Sequence, residues 1–124
     1  MVSTEVKAKV RGLSIFYSDG TEIVEIWINK KYKSLLPAKN NQRIPIFLTV
    51  SNHSFMAGLR MTPKCPVLWI CPNLEDKGEK VRLADVMENN NFRKNDALLI
   101  SVLGKEFKIS RKNAQIPTKK KKSL

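Results

Sequence analysis

Residues 44–59, IPIFLTVSNHSFMAGL, constrain this chain more than any other stretch. Residues 44–50 have the β-branched and aromatic content of a strand. From Phe55 onward, Phe55, Ala57 and Leu59 fall on one side of a second extended segment. Between the two runs stand Ser51, Asn52 and His53, and short polar side chains of this kind satisfy nearby backbone groups in a tight turn. The stretch therefore reads as an antiparallel hairpin. Its closing residue, Arg60, opens a region rich in candidate contacts.

Other segments repeat the two-residue period. Val6, Ala8 and Val10 alternate with Lys7, Lys9 and Arg11, which predicts a strand with one apolar and one basic face. The basic face suits DNA; a solvated edge strand guarded by charge accounts for it equally well. Gly12 marks a bend or bulge, Leu13, Ile15 and Tyr17 continue the apolar set, and Ser18-Asp19-Gly20 turns the chain into a returning strand at 23–28. Residues 34–38 allow one short helical turn before Pro37 disrupts it. A compact strand at 67–71 lies between Pro66 and Pro72, with Trp69 read as a core anchor. Residues 73–80 read as a polar turn or linker around Gly78. Residues 82–90 form the best helix, with Leu83 and Val86 or Met87 on one face; it is too short to stand alone and is expected to pack over an opening of the sheet. Residues 97–103 and 106–110 form two further strands joined at Gly104-Lys105. Short strands, local hairpins and one modest helix favour a mainly β architecture, a small twisted barrel or half-open barrel.

The charge balance selects the class of partner. The chain of 124 residues carries 23 Lys and Arg against 11 Asp and Glu, a formal net charge of +12. A basic folded surface attracts polyanions through its long-range field, DNA or RNA first. An anionic membrane surface is the weaker alternative, and no segment reaches the roughly 20 apolar residues that span a bilayer; no membrane partner is expected. The start lacks a basic segment followed by an apolar run, so the expected location is intracellular: cytoplasmic or nucleoid-associated in a bacterium, nuclear in a eukaryote. Residues 113–124, with four lysines at 119–122, are expected to form a flexible lysine-rich tail behind a basic domain at 1–112.

Catalytic and metal chemistry find little support. Cys65 and Cys71 in CPVLWIC lack CxxC spacing and a companion Cys/His pair, so they read as reduced thiols. His53 has no base, nucleophile or ligand near it in sequence and reads as a surface histidine. The acidic residues are dispersed. The expectation is a non-enzymatic protein with no catalytic residue, metal or cofactor.

Two polar stretches carry the candidate binding residues. NKKYKSLLPAKNNQR holds Asn29, Lys30, Lys31, Lys33, Lys39, Asn40, Asn41, Gln42 and Arg43; RMTPKC holds Arg60, Thr62 and Lys64. Lysine suits phosphate, whereas Asn, Gln and Arg can pair with base edges. A polar surface connection whose amides only satisfy turns fits the first stretch as well, and a positively charged loop before the next strand fits the second.

The segments EIVEIWINKKYKSLLP, IPIFLTVSNHSFMAGLR and VRLADVMENNNFRKNDALLISVLGKEFKI, in that order, resemble the bacterial B3-like DNA-binding domains associated with restriction endonucleases. The resemblance implies a small seven-stranded open pseudobarrel with one or two short helices. It implies two strand-connecting arms around the DNA major groove, with Asn29, Lys30, Lys31 and Lys33 near one arm and Arg60, Thr62 and Lys64 near the other; Asn40, Asn41, Gln42 and Arg43 would approach the same groove. The function so implied is sequence-selective target recognition on double-stranded DNA within a restriction-modification system, beside a nuclease domain or subunit. Two alternatives stand. One is an RNA-binding small barrel that stacks bases on Tyr17 or Tyr32; the other is a non-catalytic interaction module of a nucleoprotein assembly.

Overall fold

The computed structural model describes residues 3–112; the tail expected at 113–124 lies outside the described residues. The strands are β1 (Thr4–Phe16), β2 (Glu22–Asn29), β3 (Gln42–Val50), β4 (His53–Met61), β5 (Val67–Ile70), β6 (Asn73–Asp76), β7 (Glu79–Arg82), β8 (Ala97–Leu103) and β9 (Glu106–Lys112). A 3-10 helix at Lys30–Leu35 follows β2, and one α-helix, α1 (Leu83–Asn89), follows β7.

The central antiparallel hairpin forms, but its turn is shorter than expected, because His53 is the first residue of the returning strand. Strand β3 pairs with β4 from Gln42↔Met61 to Val50↔His53. Only Ser51 and Asn52 lie between them, at φ 49° and 68°. Two successive left-handed residues make the turn whose twist matches the strands on either side, and asparagine tolerates that backbone better than most residues.

The barrel is closed, not the open pseudobarrel implied by the resemblance. Seven strands run in the order β3-β9-β8-β1-β2-β5-β4, and the β3–β4 pairing joins the two ends. The hairpin uses one edge of β3. The other edge takes β9 in parallel, through Phe47↔Glu106, Leu48↔Phe107 and Thr49↔Lys108. Each strand of the ring therefore has a neighbour on both sides, which removes a site for unwanted pairing. Two more strands lie outside the ring. Residues 73–80 are not a linker: β6 and β7 form a hairpin around Lys77 and Gly78, both at positive φ, attached to β4 at Met56↔Glu75.

The inside of the ring is filled by side chains. Ile26, Ile28, Leu59, Leu68, Ile70, Leu98, Ile100 and Phe107 are fully buried there. The alternation of β1 is as expected, with Val6, Ala8 and Val10 inside and Lys7 and Lys9 exposed. Helix α1 buries Leu83, Ala84, Val86 and Met87 against the barrel. The bulge near Gly12 is held by Glu22, which accepts the Ser14 N–H at 2.9 Å and the Lys94 ammonium at 2.9 Å. A Cβ at Gly12 would meet the Glu22 carboxylate and the Lys94 side chain, so a larger residue there would push this ion pair aside.

Trp69 departs from its expected place. It is half-buried on the outer surface and does not belong to the core cluster, because its neighbours Leu68 and Ile70 take the inward positions.

Candidate nucleic-acid surface

The two polar stretches meet at one end of the barrel. The Lys30 ammonium donates to the Thr62 carbonyl at 2.7 Å and to the Pro63 carbonyl at 3.0 Å, and the Lys30 N–H donates to the Pro66 carbonyl at 3.2 Å. Asn40 forms a bridge with Met61, and the Asn41 N–H donates to the Met61 carbonyl at 2.7 Å. The connection at 29–41 is thus latched to the connection at 61–66.

Several candidates serve this architecture. Asn29 is the N-cap of the 3-10 helix, its Oδ1 accepting the Lys31 N–H at 2.8 Å. Asn41 holds φ 63° where the chain enters β3. Lys30 is the latch. Lys31, Lys33, Asn40, Gln42 and Lys64 are exposed around these supports, with Thr62 half-buried between them. The tyrosines give no open stacking platform: Tyr32 packs on the core with the Lys31 ammonium 5.2 Å from its ring centroid, and Tyr17 lies beneath the Arg82 guanidinium at 4.4 Å.

Arg43 and Arg60 stand directly opposite one another on β3 and β4. The Arg43 side chain lies flat across Gly58, where a Cβ would collide with it, and its Nη2 donates to the Asn73 carbonyl at 3.4 Å. Burial pushes the thiol of Cys71 up, and the charge and hydrogen bonding of Arg43, with the charge of Arg60, offset part of that rise. The ion pairs among the described residues are His53–Asp76, Arg82–Asp19, Arg82–Asp85 and Lys94–Glu22; none involves Arg43 or Arg60.

From this pair a row of outward side chains continues around the barrel. Arg43 faces Arg60, Arg60 faces Trp69, Trp69 faces Trp27 and Trp27 faces Lys9, one residue from each of β3, β4, β5, β2 and β1. Directly paired residues project from the same face of a sheet. The Trp27 indole N–H donates to Glu25 at 2.9 Å, and the Arg11 guanidinium sits 5.1 Å from the ring centroid. A shallow groove beside Trp27 is lined by Lys7, Lys9, Arg11, Asn29 and Val67. A second recess lies between Arg43 and the β6–β7 hairpin, lined by Asn73, Glu75, Lys80 and Arg82 among others.

The basic face of β1 follows from its alternation, whereas neither tryptophan was expected on the outer surface. The signal is present in the chain: Val24, Ile26 and Ile28 set the inward parity of β2 and leave Trp27 outside, as Leu68 and Ile70 do for Trp69. No family model, curated protein or solved structure matches the chain.

Proposed function

We propose that this chain binds double-stranded DNA through the loop-bearing end of the barrel and the adjoining Arg43–Arg60 pair. The observation that carries the reading is that pair: two guanidinium groups directly opposite, without a carboxylate partner among the described ion pairs. Like charges in this position repel, and a phosphate or the acceptor edge of guanine between them would turn repulsion into charge-assisted hydrogen bonds. A field from the net charge of +12 would capture the duplex. Lys31, Lys33 and Lys64 would take phosphates and orient the barrel. Arg43, Arg60, Asn40, Gln42 and Thr62 would test base edges in the major groove. Asn29, Lys30 and Asn41 would act by holding the loops.

The reading agrees with the resemblance to B3-like domains, and extends to target recognition beside a nuclease domain or subunit in the compartment that holds the DNA. Titration of labelled random-sequence duplexes, followed by anisotropy at two salt concentrations, tests it. The expected result is association that weakens with salt by a slope of about 0.9 per phosphate neutralised, and a selected sequence that binds tighter than the random pool. Absence of duplex association at low salt would overturn it.

A further inference from the structure

We infer that the row Lys9–Trp27–Trp69–Arg60–Arg43 is a binding face for a single-stranded stretch of nucleic acid, distinct in chemistry from the duplex site beside it. The inference does not depend on the duplex reading, although Arg43 and Arg60 belong to both.

The chain has two tryptophans, and both lie in this row, directly opposite one another on the solvent side of the barrel. Neither is part of the core cluster. Cations stand at both ends of the pair: Lys9 and Arg11 on one side, Arg60 and Arg43 on the other. Strands lie about 4.8 Å apart, so five positions in register span about 19 Å of arc, enough for a few nucleotides of an extended strand. Sequence-tolerant single-strand binding uses this combination: a positive track for phosphates and aromatic faces for bases.

The arrangement also discriminates. In a duplex the flat faces of the bases are stacked on one another and are closed to an indole. An unpaired base offers its face. Glu25 holds the Trp27 indole through its N–H in the free protein, so little ordering of that ring is left for the moment of binding. Arg11 covers one face of the half-buried Trp27 ring, so a base stacks on that face only as the guanidinium swings off to a phosphate, which leaves Trp69 as the more open of the two indoles. An apolar protein surface fits the row poorly, because it would bury Lys9, Arg60 and Arg43 without partners.

Because Trp27 and Trp69 are the only tryptophans, the intrinsic tryptophan fluorescence of the chain reports on this row alone. The full chain is titrated at low salt with a single-stranded oligothymidylate of about 12 nucleotides, with a duplex of the same length, and with heparin as a polyanion that has no bases. The expected result is quenching by the oligothymidylate of about half the emission or more, with much less from duplex or heparin. Trp69→Phe should weaken single-strand binding severalfold, and Lys9→Ala should weaken it with the quenching at saturation retained. Unchanged emission with the oligothymidylate, or equal quenching by heparin or duplex, would overturn the inference. Duplex association is followed separately by anisotropy of a labelled duplex. Loss of quenching with duplex association retained defeats the single-strand face alone, and the converse defeats the duplex reading alone.

Discussion

At the loop end of the barrel, Lys30 spends its ammonium on the Thr62 and Pro63 carbonyls, Asn29 caps the 3-10 helix and Asn41 supplies a left-handed turn. Along the outer row, Lys9 and Arg60 make no such bond among the described residues, and Arg43 makes a 3.4 Å bond to the Asn73 carbonyl and acts on the Cys71 thiol. Both regions are basic and polar, and composition alone does not separate them. The difference lies in the backbone beneath. A loop leaves N–H and C=O groups that must find partners, and nearby amides and ammonium groups are the first available. A strand inside a closed barrel has its backbone paired on both sides, so an outward side chain is free for something else. A basic loop in this fold is partly scaffold, and a basic strand face is partly site.

The largest expected effect tests the freedom of the row. Replacing Arg43 and Arg60 together by alanine should weaken duplex binding by about 1–3 kcal/mol for each guanidinium removed, less than additively because the two are neighbours. Unfolding in urea should show unchanged or slightly higher stability, since a like-charge opposition is removed. A large drop in stability with binding retained would reverse the assignment of roles.

Lys30→Met tests the other side of the comparison. Methionine fills the space of the lysine stem but leaves two carbonyls without their donor. A cost of about 1.5–3 kcal/mol in urea unfolding is expected, as for hydrogen bonds to a charged group. A variant as stable as the parent would show that the two connections are not held by this latch.

Gly58→Ala sharpens the role of Arg43. The new Cβ meets the Arg43 side chain, a long and flexible neighbour that can move aside. Duplex affinity should fall a few-fold while stability changes by no more than about 1 kcal/mol, and a double variant with Arg43→Ala should bind no more weakly than Arg43→Ala alone.

The smallest effect concerns cations that are already paired. The Arg82 guanidinium and the Thr21 N–H beside Asp19 hold its carboxyl well below the usual range, and Lys94 and the Ser14 N–H lower that of Glu22. A carboxylate depressed in the folded state contributes stability that is full above its unfolded value, near 4, and is lost as pH falls through the folded value. The urea midpoint should therefore decline below about pH 4. Both groups lie at the surface, where solvent and salt screen the contribution, so it is small. Asp19→Asn with Glu22→Gln should flatten this part of the acid decline.

Several elements are legible in the sequence because their signals are local. The alternation of Val6, Ala8 and Val10 with Lys7 and Lys9 depends only on adjacent residues. So does the turn at Ser51 and Asn52 between two apolar runs, although His53, expected in it, joins the strand, and so does the short apolar face of Leu83, Val86 and Met87. Residues 73–80 are harder, because Lys77-Gly78 joins two strands too short and polar to show a pattern. The two tryptophans can be placed outside by parity, but an aromatic residue between prolines reads first as core.

What the chain determined by itself was a set of strands with inner and outer faces, a charge that favours polyanions, and two stretches with the right side chains to hold them. Closure of the ring came only from tertiary structure, through the parallel pairing of β3 with β9, strands far apart in the chain. The same holds for the row from Lys9 to Arg43. Each strand's face is set by its own period of two, whereas alignment across five strands depends on register, and register is fixed by turns, bulges and a shared core that no single segment contains.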